Sequence, residues 1–268
     1  MSQLFSNKWT ALFTSNFLGV FNDNLLKNSV IFIATGWLLP SWLTQSQLIS
    51  IVSASLVIPY IFLSPLGGRL AIVYSKKKVF LFFKLLEIPI MLVACLAFYK
   101  EWVLLAIASV LLMGTQSCLY SPSKYSLIRD IGKEEGVSFG SGAFEAISFI
   151  GILTGTVTAS FVSDHYQKLI VFSLFIGLAF LGYIVTRTIK TEELPENKEE
   201  ISEMNPVKFF FKSYRFIKNY PLVNSGVLGA AAFWLIGNMI QMNLIIHTKQ
   251  IYQASNTTTG IIMATAAI

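Results

Sequence analysis

Six ionisable side chains occur inside long apolar stretches of the chain, where charged groups are uncommon. They are Asp23, Lys27, Lys84, Glu87, Lys124 and Glu145. A charged residue at the centre of a bilayer costs roughly 2.5–3.5 kcal/mol on insertion scales, so such residues normally face protein or a water-filled cavity. They often mark a substrate or ion pathway, which makes these six the first candidates for a functional site.

Asp23 and Lys27 are spaced so that a helix carries both on one face, and Asn16 falls on the same face. Lys27 could attract a phosphate group, while Asp23 could tune that lysine or bind a coupling cation. The same spacing also permits a self-neutralising ion pair that only fixes helix packing. The adjacent Asn22 and Asn24 either join this site or hydrogen-bond across helices.

The remaining candidates lie on later apolar stretches. Lys84 and Glu87 are one helical turn apart and predict a structural ion pair. Tyr120 and Lys124 are also one turn apart, and Lys124 could hold a phosphate or extend its ammonium to the membrane interface. Glu145 could pair with Lys84 or Lys124, or carry a proton.

The amino-acid composition requires lipid as the solvent for much of the surface. Hydrophobic residues make up 54% of the 268 residues and charged residues only 13%, against about a quarter in soluble domains. We therefore predict an all-α integral membrane protein, because a bilayer core of about 30 Å needs roughly 20 apolar helical residues. The predicted spans are Trp9–Leu39, Leu48–Val73, Val79–Tyr99, Trp102–Leu127, Val137–Val162, Leu169–Ile189, Leu222–Ile246 and a stretch from about Thr258.

The lysines and arginines orient these spans. A cytoplasmic N-terminus leaves only Lys100, Lys168 and Lys249 on the outer side, with most of the 20 cations on the inner side. The net charge of +6 therefore reflects membrane topology and does not indicate a nucleic-acid partner. Cys95 and Cys118 show no metal-ligand spacing, and we expect no metal and no cofactor.

A polar linker divides the chain into three parts. Residues 1–190 form a six-helix bundle, and residues 221–268 begin a second bundle. Within residues 191–220, Thr191–Asn205 is rich in glutamate and predicts a solvated loop. Pro206–Tyr220 predicts a basic amphipathic helix at the cytoplasmic interface, with a calmodulin-like target as the alternative.

The connection after the second span resembles the loop motif of the major facilitator superfamily, Gly-x-Leu-Ala-Asp-Arg-x-Gly-Arg-Arg. Gly68, Leu70, Ala71, Lys76 and Lys77 match this motif, whereas Ile72 replaces its aspartate. The resemblance implies two six-helix halves that alternate access to a central site lined by the first helix. Because the second half is incomplete here, we expect this chain to be part of a longer protein; a six-helix protein acting as a dimer is the alternative.

Two further segments are similar to the lysophospholipid transporter family of that superfamily, namely Phe21–Leu25 and Tyr120–Leu127. This resemblance implies transport of lysophospholipids across a bacterial inner membrane, where an acyltransferase reacylates them. The candidate residues for substrate or ion binding are Asp23, Asn22, Asn24, Tyr120 and Lys124 within these two segments, and Lys27 and Glu145 outside them.

Two other functions fit the same residues. One is transport of a small soluble solute such as a sugar, drug or peptide, and the other is a non-transporting membrane partner of an acyltransferase. The sequence contains no Gly-x-x-x-x-Gly-Lys-Ser/Thr phosphate loop. Its one Gly-x-Ser-x-Gly match, at residues 136–140, opens a predicted membrane-spanning helix and does not follow a strand, as a nucleophile motif would. We therefore expect neither ATP-driven transport nor an enzymatic activity from these residues.

Overall fold

The computed structural model describes residues 7–193 and 205–266, and these residues are largely helical. The helices are α1 Asn7–Ala34, α2 Gln45–Val73, α3 Lys76–Lys100, α4 Val103–Asp164, α5 Lys168–Arg187, α6 Pro206–Lys218, α7 Pro221–Ile246 and α8 Asn256–Ala266. A π-helical turn, His247–Ile251, extends α7. Glu196, Glu199, Glu200 and Glu203 of the predicted acidic loop lie outside the described residues.

The prediction of an all-α membrane protein is confirmed. Within residues 7–193 and 205–266, five helices are long and apolar enough to cross a bilayer: α2, α3, α4, α5 and α7 with its extension. The predicted first span, α1, is not among these five because several asparagines, Asp23 and Lys27 reduce its hydropathy. Its polar residues are enclosed by protein, since Asn16, Asn22 and Asn28 are all at most 1% exposed.

Helix α4 is a hairpin of two antiparallel arms. Its backbone leaves the helical region at Lys133, with φ 53° and ψ −165°. The Tyr125 hydroxyl donates a hydrogen bond to Glu145 at 2.8 Å, although a straight helix would separate these residues by about 30 Å. We call residues 103–132 the first arm and residues 134–164 the second arm.

The turn at Lys133 is sharp and lies between two predicted spans. The predicted spans end at Leu127 and restart at Val137, but helical structure continues on both sides up to Lys133. Small residues permit this, because a Cβ at Gly132 or Gly140 would lie 2.8 or 2.5 Å from the Trp9 ring. Trp9 therefore fills the space where the two arms meet.

Helix α1 lies at the centre of the described bundle, against both arms of α4 and against α5. Its close approach to the second arm depends on glycine, because a Cβ at Gly155 would lie 2.5 Å from the carbonyl oxygen of Phe21. Apolar clusters flank its polar middle, one around Trp9 and Phe80 and the other around Leu26 and Phe98. The polar residues of α1 are thus held between two packed apolar layers.

We call one end of the bundle the basic end. Three segments meet there: the α2–α3 connection, the Lys133 turn and the residues after α5. Lys76 forms a buried ion pair with Asp130 at 3.1 Å. Glu193 accepts hydrogen bonds from the Ser75 hydroxyl at 2.6 Å and from the backbone N–H of Lys76 and Lys77 at 2.9 and 3.1 Å. Glu193 lies in the segment predicted to be a solvated loop; it is non-helical and partly exposed, and its carboxylate caps the N-terminus of α3.

Candidate functional site

Two hydrogen-bond networks contact α1, and the Tyr120 ring lies between them, with its centroid 5.9 Å from the Lys84 ammonium and 5.5 Å from the Lys124 ammonium. The first faces α3 and is sealed from solvent: Asn22 donates to Glu87 at 2.6 Å, and Lys84 pairs with the other oxygen of Glu87 at 2.6 Å. All three side chains are at most 1% exposed. The geometry thus places Asn22 with the Lys84–Glu87 pair and apart from Asp23.

The second network follows the face of α1 that carries Asn16, Asp23 and Lys27, which we call the α1 stripe. Asp23 accepts a hydrogen bond from the Ser117 hydroxyl on the first arm at 2.8 Å. The Lys27 ammonium donates to the Gln241 side-chain oxygen on α7 at 3.2 Å. Within the described residues Asp23 and Lys27 form no ion pair, so they do not neutralise each other by direct contact.

The ammonium of Lys124 lies in an aromatic cage next to the stripe. It is 5.5 Å from the ring centroid of Tyr120, 5.6 Å from that of Tyr125 and 5.5 Å from that of Phe144. It also donates to Asn16 at 3.1 Å. No carboxylate in the described part of the chain pairs with it, so the π-faces and one amide stabilise the buried charge.

Two other predicted site residues do not contact the stripe directly. Asn24 donates to the Val20 carbonyl of its own helix at 2.9 Å and packs beside Gly155. Glu145 accepts the hydrogen bond from Tyr125, one of the rings around Lys124. Glu145 therefore borders the aromatic cage, whereas Asn24 faces the second arm.

A cavity of about 300 Å³ lies between the second arm, α7 and α8. The Phe149 and Trp234 rings stack along its wall with centroids 5.5 Å apart and planes inclined by 6°. Apart from Asn238 and Gln241, its lining is apolar. Because Gln241 also accepts the hydrogen bond from Lys27, the polar edge of the cavity adjoins the α1 stripe.

Sequence reasoning did not select Ser117, Gln241 or Phe149 as site residues. Gln241 shares a helical face of α7 with Trp234 and Asn238, and this spacing indicates a cavity wall, although it does not identify Lys27 as the partner of Gln241. Ser117 and Phe149 carry no comparable signal, because each acquires its role only when another helix packs beside it.

The loop motif supplies packing and hydrogen-bond donors at the basic end. A Cβ on Gly68 would lie 3.0 Å from the Phe209 ring of α6, so this glycine permits close packing of α6 on α2. Lys76 pairs with Asp130, so this lysine has a buried carboxylate partner although Ile72 replaces the motif's aspartate. Lys77 contributes its backbone N–H to Glu193.

Comparisons with known proteins agree with this architecture. A sequence model described as Major Facilitator Superfamily matches residues 10–268. The chain is 25% identical over 247 residues to lysophospholipid transporter LplT of Serratia proteamaculans, covering 91% of this chain and 58% of the relative. It is 24% identical over 261 residues to the protein of that name from Photorhabdus laumondii, covering 94% of this chain and 61% of the relative.

A solved structure shows the same fold. The chain is similar to an auto-inhibited peptide transporter of the POT family, with a TM-score of 0.57 and 16% identity, over 98% of this chain and 51% of that structure. The chain thus spans roughly half to three-fifths of the length of these three proteins. The match of the family model over nearly the whole chain, on a bundle of membrane-spanning helices, shows that this chain belongs to the Major Facilitator Superfamily.

Proposed function

We propose that the protein is a secondary transporter that moves lysophospholipids across a bacterial inner membrane by alternating access, for reacylation by an acyltransferase. The names of the two curated relatives support this substrate class. The proposed orientation, with the N-terminus in the cytoplasm, follows from the distribution of lysines and arginines.

The contact between Lys27 and Gln241 at the edge of the apolar cavity carries the proposal. A lysophospholipid combines one phosphate headgroup with one acyl chain, so it needs a cation next to an apolar compartment. A sugar would have few hydrogen-bond partners along walls such as Phe149, Leu153 and Met263, and an unpaired polar group in such a site is costly. The lining therefore favours an amphipathic substrate over a polar solute.

The two cations beside α1 have partners that a phosphate could replace. Lys27 donates to a neutral amide, and Lys124 lies among aromatic rings with a single amide acceptor. A phosphate offers either lysine a charge-assisted hydrogen bond, which is stronger than a bond to a neutral amide. In this proposal Lys27 and Lys124 bind the headgroup, Tyr120 and Glu145 shape the site around Lys124, and Asp23 tunes the lysines or binds a coupling cation.

Alternating access gives the Lys27–Gln241 contact a second role. It joins α1 to α7, which belong to the two predicted bundles. A headgroup that takes over Lys27 would break this hydrogen bond, so substrate binding would weaken one connection between the bundles. The substrate can shift the equilibrium between the inward-open and outward-open states only as far as its binding affinity differs between them.

Uptake of labelled lysophosphatidylethanolamine by the full-length protein in proteoliposomes tests the proposal. We expect uptake by wild type and at least a tenfold loss in Asp23→Asn and in Lys27→Ala, the latter equivalent to about 1.4 kcal/mol of lost interaction. Lys168→Ala is the matched control, because Lys168 is partly exposed and pairs with Glu101 remote from α1.

Three results would contradict the proposal. Folded wild type that transports a sugar or peptide but no lysophospholipid would assign the protein to soluble solutes. If folded wild type transports neither a soluble solute nor a lysophospholipid, the remaining function is that of a non-transporting partner of an acyltransferase. Normal uptake by both stripe variants would remove the α1 stripe from the substrate site.

A further inference from the structure

Helix α6 presents three different faces. Phe209, Ser213 and Ile217 follow helical spacing and are partly buried against the protein. Two large rings that lie one helical turn apart are exposed on the adjacent side, with Phe210 47% and Tyr214 53% exposed. Rings of this size are unusual on a surface that meets only water, so this part of α6 requires a partner.

The charge on α6 has a single sign. Residues Pro206–Lys218 include no aspartate or glutamate, and they carry the cations Lys208, Lys212, Arg215 and Lys218. The first three are spaced four and three residues apart, so they form a stripe along one side of the helix. A helix with a basic side and exposed aromatic rings is typical of a segment that lies in the surface of an anionic membrane.

The position of α6 fits a membrane surface. Phe209 packs on Gly68 near the end of the membrane-spanning helix α2, and α7 begins at Pro221, directly after Asn219 and Tyr220. Helix α6 therefore lies where two membrane-spanning helices meet the interface at the basic end. With 13 residues it is too short to cross the bilayer itself.

We infer that α6 is a binding element for anionic phospholipid headgroups of the leaflet at the basic end. Its cations contact the headgroups, and the neighbouring rings of Phe210 and Tyr214 insert among the lipid chains near the surface. A groove-forming protein that enclosed the helix would have to remove Phe209 from Gly68. A nucleic acid would satisfy the cations but leave most of the rings in water. Lipid satisfies both faces while α6 stays on α2.

The inference can be tested without measuring transport, so its failure is distinct from failure of the proposed function. An environment-sensitive fluorophore is attached at Phe211→Cys in the full-length protein, because the native Cys95 and Cys118 are buried. The protein is placed in nanodiscs of phosphatidylcholine alone or with increasing phosphatidylglycerol. We expect a blue-shifted emission as the anionic fraction rises, and reversal of the shift by high salt, which screens surface charges.

Charge variants separate this mechanism from simple hydrophobic contact. Each replacement among K208Q, K212Q, R215Q and K218Q should weaken the lipid-dependent association about fivefold. The four positions are exposed, so the combined variant should fold. The matched control carries K78Q, R129Q, R187Q and K190Q, four exposed cations outside α6, and it should respond as wild type does.

The outcomes are decisive in either direction. A shift that depends on anionic lipid, is lost in the α6 variant and is kept in the control establishes the binding element. An emission that is the same in neutral and anionic discs overturns the inference, as does an equal loss of response in both charge variants. A response to added RNA or to an acidic protein, without one to phosphatidylglycerol, also overturns it.

Discussion

Lys27 and Lys84 show how two buried lysines of one bundle can have different roles. Lys84 has a carboxylate partner, Glu87, at 2.6 Å within its own helix. Lys27 reaches a neutral amide on another helix at 3.2 Å. The charge of Lys84 is therefore already paired, whereas that of Lys27 remains available for an anionic ligand.

Removing one member of the Lys84–Glu87 pair should destabilise the protein more than removing both. Glu87→Gln leaves an acceptor for Asn22 but leaves a buried ammonium unpaired, which costs about 3–5 kcal/mol. The double variant Lys84→Met/Glu87→Gln should regain much of that loss. The unfolding temperatures of the single and double variants can be measured in detergent. Equal midpoint temperatures for the two variants would contradict a structural ion pair.

The sequence predicted this pair but not its full set of partners. Spacing within one helix was sufficient for Lys84 and Glu87, because residues three apart are neighbours on a helix. For Asn22 the sequence allowed either a place beside Asp23 or a hydrogen bond across helices, and the structure shows the hydrogen bond across helices. Its partner lies on α3, and no pattern within α1 indicates it.

At the scale of elements, Glu193 connects the segment after α5 to α3. Burial alone raises the pKa of its carboxyl, but the Ser75 hydroxyl, the N–H groups of Lys77 and Lys76 and the charge of Lys76 together lower that pKa below its usual value of 4.5. Because the pKa of Glu193 is lower in the folded protein, its contribution to stability is complete at pH values above 4.5. This contribution is lost as the pH falls through the lowered pKa of the folded state. The cap should therefore be intact at neutral pH.

Glu193→Ala should loosen the N-terminus of α3 at neutral pH. We expect faster hydrogen exchange at the amides of Lys76 and Lys77, because each donates to this carboxylate. Wild type should show the same change only at pH values below the usual glutamate range, after correction for the intrinsic exchange rate. Protection that is unchanged in the variant would show that the carboxylate does not hold these amides.

Asp164 performs a similar task at the end opposite the Lys133 turn. It terminates the second arm and accepts the backbone N–H of Asn256 at 3.0 Å and of Thr257 at 2.7 Å, at the start of α8. Loss of a helix cap costs about 0.5–2 kcal/mol. Asp164→Ala should thus lower the ratio of molecules with α8 in contact with the second arm to molecules without this contact by roughly two- to thirtyfold.

Spin labels on the second arm and on α8 can measure this shift as a distance distribution. The predicted result is a larger population at long distance in Asp164→Ala than in wild type, with Asp164→Asn in between because its amide retains one acceptor. Identical distance distributions in all three proteins would show that Asp164 does not hold α8 against the second arm.

Helix α4 shows the limit of hydropathy at this scale. Apolar runs predicted two spans in this region, Trp102–Leu127 and Val137–Val162, but they did not place the turn between them. The actual turn is confined to Lys133 because Gly132 and Gly140 leave room for Trp9 from α1. This packing is a tertiary effect that a window along one segment does not detect.

At the scale of the whole molecule, composition was sufficient to predict a helical membrane protein, and motif spacing was sufficient to identify its superfamily. Contacts between the predicted bundles were not predictable. Lys27 to Gln241 and Asp164 to α8 join residues far apart in sequence, and they depend on how the bundles close. The candidate site combines both kinds of information: the α1 stripe from spacing, and the cavity from assembly.

Photolabelling tests most directly whether one lysophospholipid occupies both the stripe and the cavity. A lysophosphatidylethanolamine with a photoreactive group at the end of its acyl chain is crosslinked to the full-length protein, and labelled peptides are mapped. We predict labelling of the cavity wall at Phe149, Trp234 and Met263 that excess unlabelled lysophosphatidylethanolamine suppresses and that Lys27→Ala reduces. Labelling confined to lipid-facing residues such as Leu181 and Ile184, unaffected by competitor or by Lys27→Ala, would contradict the account.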